Sequence, residues 1–178
     1  MPIATLVPDN VITQTGWSNV TSNLGLDNGV YASMTDDSGD NLTLTFSNLP
    51  GTAASINSIK FVIKDIVIQS KSAVENELNV TIMDTLSQYY STSHGYSSGA
   101  FQTITGATQT TSNGSLAWTV SQVNDIRIKL VHSEPINSTP LIDYIYYEVD
   151  YNIAATPVQD FIILSSGLIQ LTSGKIII

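Results

Sequence analysis

The feature that most limits the fold of this 178-residue chain is a period-two alternation of apolar and polar residues. This pattern is typical of strands with one buried face. It recurs in five runs, at 42–47, 59–68, 78–83, 126–131 and 142–151. Turn-forming clusters rich in Asn, Asp, Gly and Pro separate the runs, and the only helical candidate is a single turn at 121–125. Short strands and turns at this spacing predict an all-β, antiparallel sandwich.

Composition excludes several classes of function. Only 12% of the residues are charged, and 15 acidic residues against 6 Lys and Arg give a formal net charge of -9. So few cations make a poor nucleic-acid binder, because phosphate contacts depend on Lys and Arg. There is no Cys and there are only two His, so thiolate chemistry and most catalytic constellations are absent. We therefore expect a structural or binding module, with no catalytic residues and no cofactor.

Isolated chemical candidates in the sequence are weak. His132 follows a predicted strand and lies beside Glu134, and we expect no catalytic role for it. Asp36, Asp37 and Asp40 cluster in one turn, so calcium is conceivable, but the spacing does not match an EF-hand loop. We favour a solvated acidic turn there and predict no metal ligand. Trp17 and Trp118 lie within or near apolar strand signals, which predicts core positions for both.

Residues 85–115 break the alternation and are rich in Tyr, Ser, Thr and Gly. Loops of this length in compact domains are often functional. Tyrosine among Ser and Gly is typical of adaptable contact surfaces, because it supplies a large contact area at low entropic cost. We predict a long loop here, with Tyr89, Tyr90, His94 and Tyr96 as possible ligand contacts.

The tail is the second unusual segment. A small-residue stretch with a proline follows the last predicted strand, so we divide the chain into a sandwich at 1–153 and a linker with an apolar β arm at 154–178. Such an uncharged arm must be covered, either by folding back onto its own sandwich or by burial against other chains. A repeated Ser-Gly turn favours the second outcome, as a trimer or an arm on a neighbour. The predicted interface residues are Phe161, Ile162, Ile163, Leu164, Leu168, Ile169, Leu171, Ile176, Ile177 and Ile178.

Several motifs, taken in order, resemble the jelly-roll domain of virion structural proteins of tailed bacteriophages. They are Leu6-Val7-Pro8, Thr15-Gly16-Trp17, Leu49-Pro50, Leu116-Ala117-Trp118-Thr119-Val120 and the aromatic run at 142–151. The similarity covers roughly 3–152, and galactose-binding-like and carbohydrate-binding modules share much of it. The resemblance implies a jelly-roll topology. The tail and the Tyr-rich segment depart from that family pattern.

Two functions follow as expectations. The first is a non-enzymatic capsid decoration, or cement, protein that binds a major capsid protein and self-associates as a homotrimer. The alternative is a tail-associated adhesin or carbohydrate-binding module that contacts host glycans. The first eight residues lack a signal-peptide pattern, and no run of about 18 apolar residues exists. We therefore expect a virion location after assembly in the host cytoplasm, with no membrane insertion and no nucleic-acid partner.

Overall fold

A computed structural model describes ten stretches of the chain, namely 1–20, 24–34, 41–70, 76–85, 87–96, 100–112, 116–132, 138–155, 161–164 and 167–170. Within them lie fifteen strands and one short helix. The strands are β1 (Ile3–Leu6), β2 (Pro8–Gln14), β3 (Trp17–Ser18), β4 (Ala32–Met34), β5 (Asn41–Phe46), β6 (Ala53–Ser70), β7 (Asn76–Met83), β8 (Gln88–Tyr96), β9 (Gln102–Thr105), β10 (Thr111–Ser112), β11 (Leu116–Ala117), β12 (Arg127–His132), β13 (Ser138–Ile153), β14 (Phe161–Leu164) and β15 (Gly167–Gln170), and the helix is α1 (Val120–Asn124).

Two antiparallel sheets form the body of the fold. The six-stranded sheet has the order β3-β4-β13-β6-β9, with β1 also paired to β13, and the five-stranded sheet has the order β2-β5-β12-β7-β8. The chain passes repeatedly between the two layers, so that β4, β5, β6 and β7 lie in alternate sheets. This crossing is typical of jelly rolls. The predicted all-β antiparallel sandwich is confirmed.

The core lies between the two layers and follows the alternation of the sequence. In the five-stranded sheet Leu44 faces Ile128 and Leu42 faces Leu130 across β5 and β12, and all four side chains are buried. Trp17 and Trp118 are 5% and 3% exposed, which confirms their predicted core positions.

One kink breaks the alternation on the two longest strands. β6 and β13 pair along almost their whole length, but Asp65 has a φ of 51° and pairing lapses opposite it, at Asp143. On β13 the buried apolar side chains on either side of the kink are therefore Ile142 and Ile145, which are three residues apart. The alternation predicted over 142–151 places Ile142, Tyr144 and Tyr146 on one face, and this part of the prediction is wrong. A one-residue irregularity in a strand moves the following side chains to the opposite face.

The predicted long loop at 85–115 is also wrong, because this segment contains β8, β9 and β10. Tyr and Thr favour strands even without an apolar alternation. The predicted helical turn at 121–125 is confirmed, one residue earlier, as α1. Its N-cap is a capping box in which Thr119 accepts from the backbone N–H of Gln122 and the Gln122 side chain accepts from the backbone N–H of Thr119.

β13 ends at Ile153, and the tail beyond it contains β14 and β15. These two strands pair with each other, with Leu164 opposite Gly167 at the turn and Phe161 opposite Gln170 at the open end. Neither pairs with a strand of the two large sheets in the part of the tail that is described. The division at 153 and the covering of the tail by other chains stay predictions. No helix within the described ranges is long and apolar enough to cross a membrane.

Candidate functional site

The outward face of β13 and β6 carries the strongest candidate site. After the kink, alternate side chains of the paired strands point away from the core, and we call this set the outer strip. Its cross-strand pairs are Tyr144 with Lys64, Tyr146 with Val62, Glu148 with Lys60, and Asp150 with Ser58. Six residue steps along β13 give the outer strip a length of about 20 Å at roughly 3.3 Å per residue. That length suits a short extended ligand.

Two tyrosine rings dominate one half of the outer strip. The rings of Tyr144 and Tyr146 stack with centroids 4.9 Å apart and an interplanar angle of 29°, and both side chains are half-buried. Burial raises the pKa of the Tyr144 hydroxyl, so it remains a neutral hydrogen-bond donor at physiological pH. The pair therefore offers aromatic edges and the ring faces not covered by the stacking, together with two hydroxyl groups.

Lys64 lies beside these rings and is held in place. Its Nζ donates to the Asp27 carboxylate, and this hydrogen bond is the main reason that its pKa is raised. The ammonium group therefore stays charged beside the tyrosines. A fixed cation next to an aromatic surface adds a hydrogen-bond donor for a bound ligand.

The other half of the outer strip is polar. Lys60 Nζ lies 2.6 Å from Glu148 Oε2, and each side chain is about one-third exposed. A shallow cavity of about 170 Å³ adjoins this ion pair. Its lining residues are Ile3, Ser58, Lys60, Thr108, Glu148 and Asp150. Donors, acceptors and one apolar side chain thus surround a space that can accept part of a small polar ligand.

A second aromatic pair lies at the kinked end of the same sheet. Tyr31 precedes β4 and Phe101 precedes β9, and these two strands are separated by β13 and β6. The two rings nevertheless stack with centroids 5.2 Å apart. Phe101 is 53% exposed, so the pair adds apolar surface outside the core near the tyrosines.

Three carboxylates meet at the kink and could hold a cation. Oxygens of Asp27, Asp65 and Asp143 lie within 4.8 Å of one another, and hard divalent cations prefer such ligands. The chain itself balances part of this charge. Lys64 donates to Asp27, and buried Asp143 accepts from the backbone N–H groups of Asn28 at 3.4 Å and Gly29 at 3.0 Å. The sequence analysis missed this group, because its members are far apart in the chain.

Two of the predicted ligand contacts pack against the core. The ring of Tyr89 meets Trp118 edge-on at 4.9 Å, and the ring of Tyr90 lies 6.3 Å from the same indole. Their hydroxyls donate to the Asp84 carboxylate and to the carbonyl oxygen of Thr111. Burial, followed by the bond to Asp84, raises the pKa of Tyr89 to about 12. Both rings are fixed by internal contacts, and their role in ligand binding stays a prediction.

The other predicted residues are placed less completely. His94 and Tyr96 belong to β8, opposite Leu78 and Asn76 of β7, and they too stay predicted contacts. Among the predicted interface residues, Phe161, Ile162, Ile163, Leu164, Leu168 and Ile169 belong to β14 and β15. Asp36, Asp37, Asp40, Leu171, Ile176, Ile177 and Ile178 lie outside the described residues.

The sequence analysis did not single out the outer strip. Tyr144 and Tyr146 were visible as alternate residues of a strand, but Tyr147 and Tyr151 on the same strand are aromatic too. Only the kink shows which set faces outward. Lys60 and Lys64, four residues apart among apolar residues of β6, were the available signal for an outward face, and Lys64 lies opposite Tyr144.

Comparisons with known proteins yield structural likenesses only. No protein-family model matches the chain, and no curated protein matches it. Ten solved chains match, three of which are described here. The xylan-binding module CBM15 has 11% identity and a TM-score of 0.45, with 84% of this chain and 98% of that one covered.

The other two are parts of xylanases. The CBM36-1 domain of a multidomain xylanase from the hindgut metagenome of Trinervitermes trinervoides has 15% identity and a TM-score of 0.42, with 86% of this chain and all of that one covered. The CBM22-1-GH10 modules of Clostridium thermocellum xylanase 10B have 11% identity and a TM-score of 0.43, with 85% of this chain and 30% of that one covered. Likenesses at such scores do not show a function, and none of the three is described as a virion protein.

Proposed function

We propose that this chain is a non-enzymatic carbohydrate-binding module whose ligand lies along the outer strip. The observation that carries the proposal is the stacked pair Tyr144 and Tyr146, half-buried on the outward face of the sheet and followed by a polar half. The C–H faces of pyranose rings pack on aromatic rings, while sugar hydroxyls bond to charged and polar side chains. The outer strip presents both surfaces in one line.

Rigidity supports the same proposal. β13 lies in the interior of its sheet, with β6 on one side and β4 and β1 on the other. At the tyrosines themselves β6 pairs with one side of this backbone, and on the other side Ile145 N donates to the carbonyl oxygen of Leu24 at 3.0 Å. Lys64 is held by Asp27, and Lys60 by Glu148. A preformed surface loses little entropy when a ligand binds.

Tyr144→Ala and Tyr146→Ala test the proposal directly. Wild-type protein is screened on a glycan array of neutral and acidic oligosaccharides, and the best ligand is then titrated by calorimetry. Loss of either ring removes buried apolar contact worth about 1–2 kcal/mol, so affinity falls roughly 5- to 30-fold. Tyr144→Phe and Tyr146→Phe keep the rings and serve as matched controls, for which a smaller loss of affinity is expected.

The results separate three cases. Binding that depends on the two rings supports the proposal. Binding that survives both Ala variants but is lost in Tyr96→Ala moves the site to Tyr96, one of the ligand contacts predicted from the sequence. No binding to any glycan on the array refutes a carbohydrate-binding function.

A second candidate function rests on the tail. β14 and β15 form a hairpin paired only with itself in the described residues, and the tail sequence is apolar with Lys175 as its one basic residue. Such a segment suits a capsid decoration protein whose tail trimerises it or anchors it to a major capsid protein. This candidate also retains the expected virion location.

Deletion of residues 158–178 tests this second candidate. The sandwich is expected to fold without the tail, since the cores of the two sheets lie within 1–153. Solution mass and binding to capsids are compared for the full chain and the truncated one. Loss of self-association or capsid binding supports the candidate, and a truncated chain that still assembles and binds capsids refutes it.

A further inference from the structure

β8 is the last strand of the five-stranded sheet among the described residues. It pairs with β7 in continuous register from Tyr90 opposite Ile82 to Tyr96 opposite Asn76. Its other side pairs with no strand in the described part of the chain. At nine residues, β8 is longer than the mean strand of about 5–6 residues. A long row of backbone N–H and C=O groups is therefore available to a further strand.

This edge lacks the usual protection against strand pairing. Natural edges carry charges, prolines or bulges, or they are very short. β8 contains no Pro, Lys, Arg, Asp or Glu, and its one register shift lies at its beginning, near Gln88. By contrast β2, at the opposite edge of the sheet, has Pro8, Asp9 and two register shifts.

The edges of the six-stranded sheet are short. β3 has two residues and β9 has four. Among the described strands that end the two large sheets, β8 is thus the one that is both long and uncharged. In a chain with a net charge of -9, a strand edge without acidic residues adds no like-charge repulsion of its own to a contact between two copies.

Side chains on β8 leave room for a partner. Ser91, Thr92 and Ser93 in its middle are all exposed and small. Ser91 and Ser93 lie on the outward face, where they bond to Thr81 at 3.2 Å and to Asn79 of the neighbouring β7. A strand at the usual spacing of about 4.8 Å meets no bulky side chain there.

We propose that β8 pairs antiparallel with β8 of a second copy of this chain, which joins two five-stranded sheets across a two-fold axis. A two-fold axis perpendicular to the sheet generates antiparallel pairing of identical strands. Because β8 has no charged residue, every register of that pairing is free of like-charge contacts. A foreign strand bearing charges finds no countercharge on β8. This inference is independent of the proposed carbohydrate site.

The test measures solution mass of the full chain by light scattering and sedimentation. The expected result is a dimer of the 19.1 kDa chain. The variant S91K/S93K puts lysines on the middle of the edge, which face those of the partner, so it is expected to be monomeric. The matched control N10K/T13K adds the same charge at exposed positions of β2 and is expected to remain dimeric.

Three outcomes overturn the inference. They are a wild type that stays monomeric at high protein concentration, an S91K/S93K variant that keeps the wild-type mass, and equal dissociation of both lysine variants. If S91K/S93K does not fold, hydrogen exchange on the wild type decides. Protection of β8 amides is expected to rise with protein concentration, and protection independent of concentration contradicts the pairing.

Discussion

Gly106→Ala tests the packing of the chain segment that follows β9 on the core. A Cβ built at Gly106 lies 2.3 Å from Cε1, 2.5 Å from Cδ1 and 2.8 Å from Cζ of Phe61. Carbon atoms in favourable contact are about 3.5–4.0 Å apart, so the two groups must separate by roughly 1.2 Å or more. Phe61 is 2% exposed and has little space into which to move.

The backbone around Gly106 is also held in place. Gly106 N donates to the carbonyl oxygen of Phe61 at 2.9 Å, and Gln109 forms two further backbone bonds with Ile59, at 2.8 and 2.9 Å. These bonds hold the segment against β6. Overpacking of this kind costs about 1–3 kcal/mol. For a domain of this size each kcal/mol lowers Tm by about 2–4 °C, so a loss of roughly 2–12 °C is expected.

Calorimetry and urea unfolding of Gly106→Ala measure this loss. Gly51→Ala is the matched control, because a Cβ at Gly51 meets nothing within 4 Å. Its stability is expected to stay within about 0.5 kcal/mol of wild type. Phe61→Leu combined with Gly106→Ala is expected to cost less than the sum of the two single changes. A Gly106→Ala protein as stable as wild type, or strict additivity in the double variant, refutes the reasoning.

Three further predictions concern contacts around α1. Thr119→Ala removes the capping box and is expected to cost about 1 kcal/mol in chemical denaturation, whereas no loss contradicts the cap. The pKa of Tyr89 is raised to about 12. The stability contributed by its neutral hydroxyl is therefore complete below pH 10 and is lost between pH 10 and 12. Tyr89→Phe should therefore flatten the alkaline fall in stability. The Thr85 hydroxyl lowers the pKa of Asp125, so Thr85→Val should weaken the loss of stability below pH 4, and an unchanged acid limb contradicts this.

The sequence predicted the sandwich wherever burial follows simple alternation. Leu42, Leu44, Ile128 and Leu130 are core residues at the positions that the pattern predicts. β8 was missed for a physical reason. It lies at a sheet edge, so the burial of its residues is incomplete, and its Ser and Thr residues give no apolar period.

The candidate site could not be predicted in full, because one backbone angle determines which side chains of β13 face outward. Asp65 adopts a positive φ, and no pattern of neighbouring residues indicates this for an aspartate. Without that kink, Tyr144 and Tyr146 share a face with the core residue Ile142. The outer strip also pairs residues such as Lys64 and Tyr144, which are distant in sequence and adjacent only through strand register.

The most direct test of the carbohydrate-binding proposal is a chemical-shift titration of the isotope-labelled chain with the best oligosaccharide from the array. The account predicts that the largest shifts fall on Tyr144, Tyr146 and Lys64, with smaller ones at Lys60 and Glu148 beside the cavity. Shifts that fall on β8 or on the tail instead, with the outer strip unchanged at saturating ligand, contradict it.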